Sequence, residues 1–114
     1  MIKEVSYGKR KKNISVEHVK GWKKYFGLMF RSSETQPLYF SFSSGKKIVI
    51  HSWFVFFSFL AVWLDSKDSV IRWEIVKPFT ASLYGPQGCA ALLEIPCISE
   101  KAAFNNFIVG KRKI

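Results

Sequence analysis

The chain has 114 residues, which is enough for one domain with one hydrophobic core. Hydrophobic residues make up 48% of it and aromatic residues 17%, a composition that excludes an intrinsically disordered protein. The formal net charge of +10 predicts attraction to nucleic acid, anionic lipid or acidic proteins, but it does not indicate a fold.

The positive charge is concentrated near the N-terminus. We interpret residues 1–13 as a basic arm and residues 14–114 as a single compact β-rich domain. The candidate contacts to anions or nucleic acid are Lys9, Arg10, Lys11, Lys12, Lys20, Lys23 and Lys24. Two interpretations of the arm are open: a solvated terminus, or an electrostatic anchor for phosphate groups.

The first elements after the arm are predicted from residue periodicity. Alternation over residues 14–18 predicts a strand, and the apolar pair Trp22 and Phe26 at i, i+4 predicts a short helix over residues 20–26. Alternation over residues 38–42 predicts a further strand, followed by a hairpin-type connection at residues 43–46.

The central stretch, residues 48–64, contains 17 residues and no formal charge. This length is close to the minimum for a membrane-spanning helix. However, His51, Ser52 and Ser58 would be poorly satisfied in lipid, and the aromatic and β-branched composition is typical of strands. We therefore predict two short buried strands joined by a bend at residues 56–58, and not an integral membrane protein.

The C-terminal half continues the pattern of short strands. Residues 70–76 alternate, with Ile71, Trp73 and Ile75 predicted on one face of a strand and Arg72 and Glu74 on the other. The remaining elements are a loop at residues 80–88, a strand at 90–95, a short helix at 99–107 and a closing strand at 108–114. The predicted fold is mainly β (α+β): a small antiparallel barrel or two packed sheets with one or two short helices.

The cysteine content and the terminus give further expectations. Cys89 and Cys97 have no CxxC spacing, and there are only two histidines, so we expect no metal site and no cofactor. We expect two buried thiols, with a disulfide as the alternative. The charged N-terminus has no apolar stretch typical of a secretory signal, which predicts a cytoplasmic protein.

Several segments, in order over residues 14–114, resemble a known family. They are GLMFR (27–31), PLYFSF (37–42), IHSWFVFFSFLAVWLD (50–65) and LLEIP (92–96). Together they are similar to the motifs of the family catalogued as domain of unknown function 192, in its archaeal-type form. The resemblance implies a compact, mainly β domain and no assigned function. Leu60 stands where the family motif has Asp, which removes its most plausible catalytic carboxylate.

The candidate ligand or pocket residues are His51, Glu94, Arg31, Lys77, Trp22 and Tyr39. His51 is interpreted as a core residue or a base. Glu94 interrupts an apolar strand, so if it is buried it needs a partner, for which Arg31 and Lys77 are candidates.

Three functions follow as hypotheses, with the protein or small-molecule partner unknown. The favoured one is a non-catalytic β domain that binds a partner or small ligand through an aromatic pocket, because the chain has 19 aromatic residues and no recognisable catalytic set. The second is a nucleic-acid-associated protein that uses the basic arm, with exposed aromatic side chains stacking on bases. The third is an enzyme with Glu94 and His51 in one cleft.

Overall fold

The computed structural model describes residues 2–19, 36–42, 49–50, 55–80, 82–97 and 108. Nine strands lie within this part of the chain. They are β1 (Ile2–Tyr7), β2 (Arg10–Ser15), β3 (Glu17–His18), β4 (Leu38–Ser41), β5 (Val49–Ile50), β6 (Phe59–Leu64), β7 (Val70–Val76), β8 (Leu83–Tyr84) and β9 (Ala91–Pro96).

The strands form one central sheet and two small ones. The central sheet has the order β3-β4-β9-β6-β7, in which only the β3–β4 pair is parallel. The pairs β1–β2 and β5–β8 are antiparallel and form separate two-stranded sheets.

Strand β6 lies in the interior of the central sheet, between β9 and β7. All six of its side chains, in the sequence FLAVWL, are buried, as are all six of β9. Successive side chains of a strand point to opposite faces of the sheet. A fully buried strand therefore needs cover on both faces, and a continuous apolar run meets this requirement.

Two apolar clusters provide this cover. On one face Leu60, Val62 and Leu64 pack with Val5 from β1, with Ile14 from β2 packed against the same cluster. On the other face Phe59, Ala61 and Trp63 pack with Val55 and Cys89, and partly buried Ile50 of β5 and Leu83 of β8 lie against them. The central sheet is therefore a middle layer, with the hairpin β1–β2 on one side and β5–β8 on the other.

The prediction of a small, mainly β domain is confirmed. The central apolar run does form two strands, β5 and β6, with non-strand backbone at residues 55–58 before β6. The predicted strand over residues 70–76 coincides with β7. No helix within the described ranges is long and apolar enough to cross a bilayer.

The N-terminal segment differs from the prediction. Residues 1–13 were expected to form a basic arm outside the domain, but residues 2–15 form the hairpin β1–β2, and Val5 is fully buried in the core. The strand predicted over residues 14–18 is divided at Val16, because β2 pairs with β1 whereas β3 pairs with β4. The physical reason is that Val16 is itself buried where the chain passes between the two sheets.

Three smaller predictions also differ or are undetermined. The predicted loop at residues 80–88 contains the two-residue strand β8. The predicted closing strand begins at Ile108, which is buried and helical instead. The helices predicted at residues 20–26 and 99–107 lie outside the described residues.

The two cysteines are in different environments. Both are free thiols; Cys89 is buried but Cys97 is exposed, so the expectation of two buried thiols is wrong for Cys97. Cys97 follows the last residue of β9 and lies at the end of the sheet, where its backbone N–H donates to the carbonyl of Ser58.

The contact between Gly85 and Trp63 gives a test of the packing. A Cβ atom added at Gly85 would lie 2.8 Å from Cζ3 of Trp63 and 3.1 Å from Sγ of Cys89. Because the Trp63 side chain is fully buried and cannot move aside, we expect Gly85→Ala to lower the free energy of unfolding by about 1–3 kcal/mol. Urea denaturation measures this difference. The control is Gln87→Ala in the same exposed loop, and an unchanged urea midpoint for Gly85→Ala would contradict the packing described.

Candidate nucleic-acid interface

The hairpin β1–β2 turns through two residues, Gly8 and Lys9. Tyr7 and Arg10 are cross-strand partners on either side of the turn, and Gly8 has a φ of 66°. A two-residue hairpin turn of type II′ needs positive φ at its first position, which glycine adopts without steric cost. This Gly-X turn is the sequence signal that predicts the hairpin, and it was missed because the four cations from Lys9 onward indicated an arm.

The hairpin is fixed to the central sheet near the turn between β6 and β7. The backbone N–H of Ser6 donates to the carbonyl of Asp68 over 3.0 Å. The indole Nε1–H of Trp73 donates to the hydroxyl of Tyr7 over 3.3 Å. Together with the burial of Val5, these contacts hold the end of β1 next to the turn against the domain.

A polar cluster centred on Asp68 strengthens this attachment. The hydroxyl of Tyr39 donates to Oδ1 of Asp68 over 2.7 Å, and Nζ of Lys3 lies 3.5 Å from Oδ2. The same Lys3 ammonium lies 4.5 Å from the centre of the Tyr39 ring, within cation–π range. His18 contacts that ring edge-to-face, with centroids 5.3 Å apart. The cluster joins β1, β4 and the β6–β7 turn.

Burial is the main reason that the pKa of Tyr39 is raised well above its ordinary value. The hydrogen bond to Asp68 and the negative charge of that carboxylate raise it further. The phenol is therefore neutral over the physiological pH range and acts as a hydrogen-bond donor.

The outer part of the hairpin is open to solvent. Residues 8–13 are exposed without interruption. Cross-strand partners share a face, so Arg10 lies on the same face as Tyr7 and Lys12 on the same face as Val5, whereas Lys11 lies opposite with Ser6. Lys9 occupies the turn. The cations therefore lie on both faces and at the tip of the ribbon, and residues 2–15 contain five basic residues against one carboxylate, Glu4.

Among the described residues, three aromatic side chains outside the hairpin are largely exposed: Tyr84 in β8, Phe56 and Phe79. Phe56 precedes β6 and Phe79 follows β7, and the two rings contact edge-to-face with centroids 5.4 Å apart. They are 63% and 45% exposed. This is the opposite end of the β6–β7 pair from the turn that contacts Ser6, so the structure separates these rings from the basic hairpin.

Of the predicted pocket residues, the structure describes Tyr39, Lys77 and Glu94, and Tyr39 and Glu94 lie on opposite faces of the central sheet. Tyr39 is buried, Lys77 is exposed after the end of β7, and Glu94 is buried in β9 between Leu38 of β4 and Ala61 of β6. The other predicted residues lie outside the described residues: His51, Arg31, Trp22, Lys20, Lys23 and Lys24. Within the described ranges, no group of three His, Cys, Asp or Glu side chains is arranged to hold a metal ion.

A second polar group lies on the other face of the sheet. The indole Nε1–H of Trp63 donates to Oε2 of Glu74 over 3.0 Å, and Nη2 of Arg72 lies 3.3 Å from the same oxygen. Arg72 also donates to the carbonyl of Tyr84. These contacts satisfy a buried indole N–H and attach β8 to β7.

Two solved structures have a similar fold. One is a protein of unknown function from Novosphingobium aromaticivorans, with a TM-score of 0.71 and 15% identity, covering 90% of this chain and 76% of that chain. The other is described as a putative transcription regulator from Sinorhizobium meliloti, with a TM-score of 0.73 and 16% identity, covering 91% of this chain and 84% of that chain. At such identities the likeness shows the fold alone. No protein-family model and no curated protein matches the sequence.

The attachment of the hairpin through Tyr39 is testable. Tyr39→Phe removes the hydrogen bond to Asp68, and we expect it to lower the free energy of unfolding by about 1–3 kcal/mol below pH 10. The folded-state pKa is raised, so this stabilisation is complete below the unfolded-state value of about 10 and is lost as the pH rises above it, by roughly 1.4 kcal/mol per pH unit.

Urea denaturation of both proteins at pH 8 and at about pH 11 measures the two differences. The control is Tyr84→Phe, because Tyr84 is 65% exposed. A difference between wild type and Tyr39→Phe that does not shrink at the higher pH would contradict the raised pKa of Tyr39.

Proposed function

We propose that the protein binds duplex nucleic acid by inserting the hairpin β1–β2 into a groove. The observation that carries the proposal is the distribution of exposed cations over both faces and the turn of a two-stranded ribbon. The major groove of B-DNA is wide enough for such a ribbon, and phosphates line both of its walls. A ribbon that is positive on both faces is complementary to that geometry.

The same distribution favours a groove over a flat anionic surface. A bilayer presents phosphates on one side only, and membrane-bound segments pair a cationic face with an apolar one. Residues 8–13 contain no apolar side chain that could enter lipid. Residues 8–13 therefore have the charge to bind lipid headgroups but lack an apolar side chain that would anchor them in the bilayer.

The position of the two exposed phenylalanine rings favours double strands over single strands. Proteins that bind single strands without sequence preference combine a basic groove with aromatic rings that stack on the bases. Here Phe56 and Phe79 are at the far end of the β6–β7 pair from the hairpin. Stacking on bases bound at the hairpin is therefore not expected from these two rings.

The other two hypotheses have less support. The hydroxyl of Tyr39 is bonded to Asp68 and its side chain is buried, so it is not available to line an aromatic pocket. The proposal of an enzyme with Glu94 and His51 in one cleft stays a prediction, because His51 is outside the described residues. The Sinorhizobium meliloti neighbour is described as a putative transcription regulator, and duplex binding would be a role of the same general kind.

Binding to a labelled duplex across a salt series tests the proposal. Displacement of counterions from phosphates predicts a linear fall of log K with log salt, with a slope of about −0.9 for each phosphate contacted. With four cations on the exposed ribbon we expect a slope of about −3 to −4. We expect Lys11→Ala to weaken binding to unrelated duplexes equally and to make the slope shallower by about 1.

The matched control is Lys77→Ala, which removes a lysine that is also exposed, at the other end of the sheet. It should leave the slope unchanged. A flat salt dependence, or equal effects of the two substitutions, would contradict groove binding by the hairpin. Tighter binding to anionic vesicles or to single strands than to the duplex would identify a different partner.

A further inference from the structure

Strand β7 is at the edge of the central sheet. In the part of the chain that the structure describes, its only strand partner is β6. Its contacts with β1 are a bridge between Ser6 and Ser69, immediately before β7 begins, and the hydrogen bond from the Trp73 indole to the Tyr7 hydroxyl. An edge strand presents unpaired backbone N–H and C=O groups, to which another strand can pair.

The sequence of β7 is nearly its own reverse. It reads VIRWEIV, with Trp73 at the centre, valine at both ends and isoleucine next to each valine. The single departure from the palindrome is the pair Arg72 and Glu74, which carry opposite charges. Two antiparallel copies centred on Trp73 would therefore place each arginine opposite a glutamate.

From this self-complementarity we infer that the protein forms a homodimer, in which the β7 strands of two copies pair antiparallel around a two-fold axis at Trp73. The partner is a second copy of this chain. This register applies to the regular residues 72–74: the irregularity at Ile71 places Val70 on the face of Trp73, whereas Val76 lies on the other face, so the two valines are not partners. The two central sheets then become one continuous ten-stranded sheet.

Alternative registers are disfavoured by charge. Cross-strand partners share a face of the sheet, so the two-fold axis must pass through a residue and not between two residues. The nearest alternative registers therefore have the axis one residue away, at Arg72 or at Glu74. An axis at Arg72 places two arginines opposite each other, and an axis at Glu74 places two glutamates opposite each other. Like charges directly opposite are destabilising. Of these three registers, only the one centred on Trp73 pairs both charges with their opposites.

The exposed surface of β7 fits this arrangement. Ile71 is 41% exposed and Ile75 is 54% exposed, which is high for isoleucine in a strand. The side chains of Arg72 and Glu74 are 45% and 30% exposed and so retain surface for a second partner beyond their own ion pair. Pairing of β7 with a second copy would cover both isoleucines and add two ion pairs.

The ends of the strand set the extent of the pairing. The bridge from Ser6 to Ser69 occupies the position before Val70, so the partner strand can pair as far as Val70 and no farther. The irregularity in the pairing with β6 falls at Ile71, between the β6 partners Trp63 and Leu64, and so leaves the central residues 72–74 regular.

Charge exchange tests the register. Arg72→Glu and Glu74→Arg each place like charges opposite each other, and we expect each variant to dimerise at least roughly tenfold more weakly than wild type. An equimolar mixture of the two variants places every glutamate opposite an arginine, and we expect it to dimerise as wild type does. Sedimentation velocity between about 1 µM and 1 mM measures all four samples, the range suited to a small interface.

If dimerisation recovers when the two variants are mixed, the loss in each variant alone is due to pairing between copies and not to a change within one copy. Glu74 accepts a hydrogen bond from Trp63, so Glu74→Arg also loses an internal contact, which mixing cannot restore. A second test avoids both charges. Ile75→Lys is expected to weaken dimerisation, whereas Ile2→Lys, at an isoleucine that is 64% exposed in β1, is expected to leave it unchanged.

Two results would overturn the inference. One is a wild-type protein that stays monomeric over the whole concentration range. The other is a dimer that forms equally well in Arg72→Glu and Ile75→Lys, because that dimer would use another surface. If either charge variant is unfolded by circular dichroism, the Ile75→Lys and Ile2→Lys pair decides the question alone.

Discussion

The structure depends on the burial of β6 on both of its faces. Alternate side chains of a strand point to opposite faces of the sheet. Six consecutive apolar side chains therefore cannot all be buried if one face of the sheet is open to solvent. Two further layers are therefore required. The hairpin β1–β2 covers one face, and β5 with β8 covers the other.

This requirement explains why a basic segment belongs to the domain. The hairpin covers the core through Val5, Tyr7 and Ile14, whereas residues 8–13 are exposed and contain no apolar side chain. Four of the five cations of the hairpin lie in this exposed segment, where they remain hydrated, and the fifth, Lys3, is paired with Asp68. The core thus fixes the position of the charged surface, and the Lys3–Asp68–Tyr39 contacts fix its attachment.

Part of the fold was predictable because its signals are local. The strand over residues 70–76 alternates and is bounded by a polar turn and by Pro78, so its limits could be predicted without knowledge of its neighbours. Residues 2–7 alternate poorly, and Val5 is the only fully buried residue among them, so periodicity gave no strand there. Only the Gly8-Lys9 turn indicated the hairpin.

The candidate site was predictable in composition but not in arrangement. The cluster of cations at residues 9–12 was evident from the sequence, but their placement on two faces depends on the pairing register. The contact between Tyr39 and Asp68 joins residues 29 positions apart, and no local pattern predicts it. The resemblance to domain of unknown function 192 stays a prediction, as neither structural neighbour bears on it.

The unequal environments of the two thiols have a practical consequence. Cys97 is exposed and Cys89 is buried, so a maleimide dye should label the native protein at one position without any engineered cysteine. Cys97 lies beside the Phe59 end of β6, and the contact of Ser6 with Asp68 lies beyond the Leu64 end, roughly 17 Å away along the strand. A donor fluorophore at Cys97 would transfer energy to an acceptor on a molecule bound at the hairpin, without occupying the surface of the hairpin.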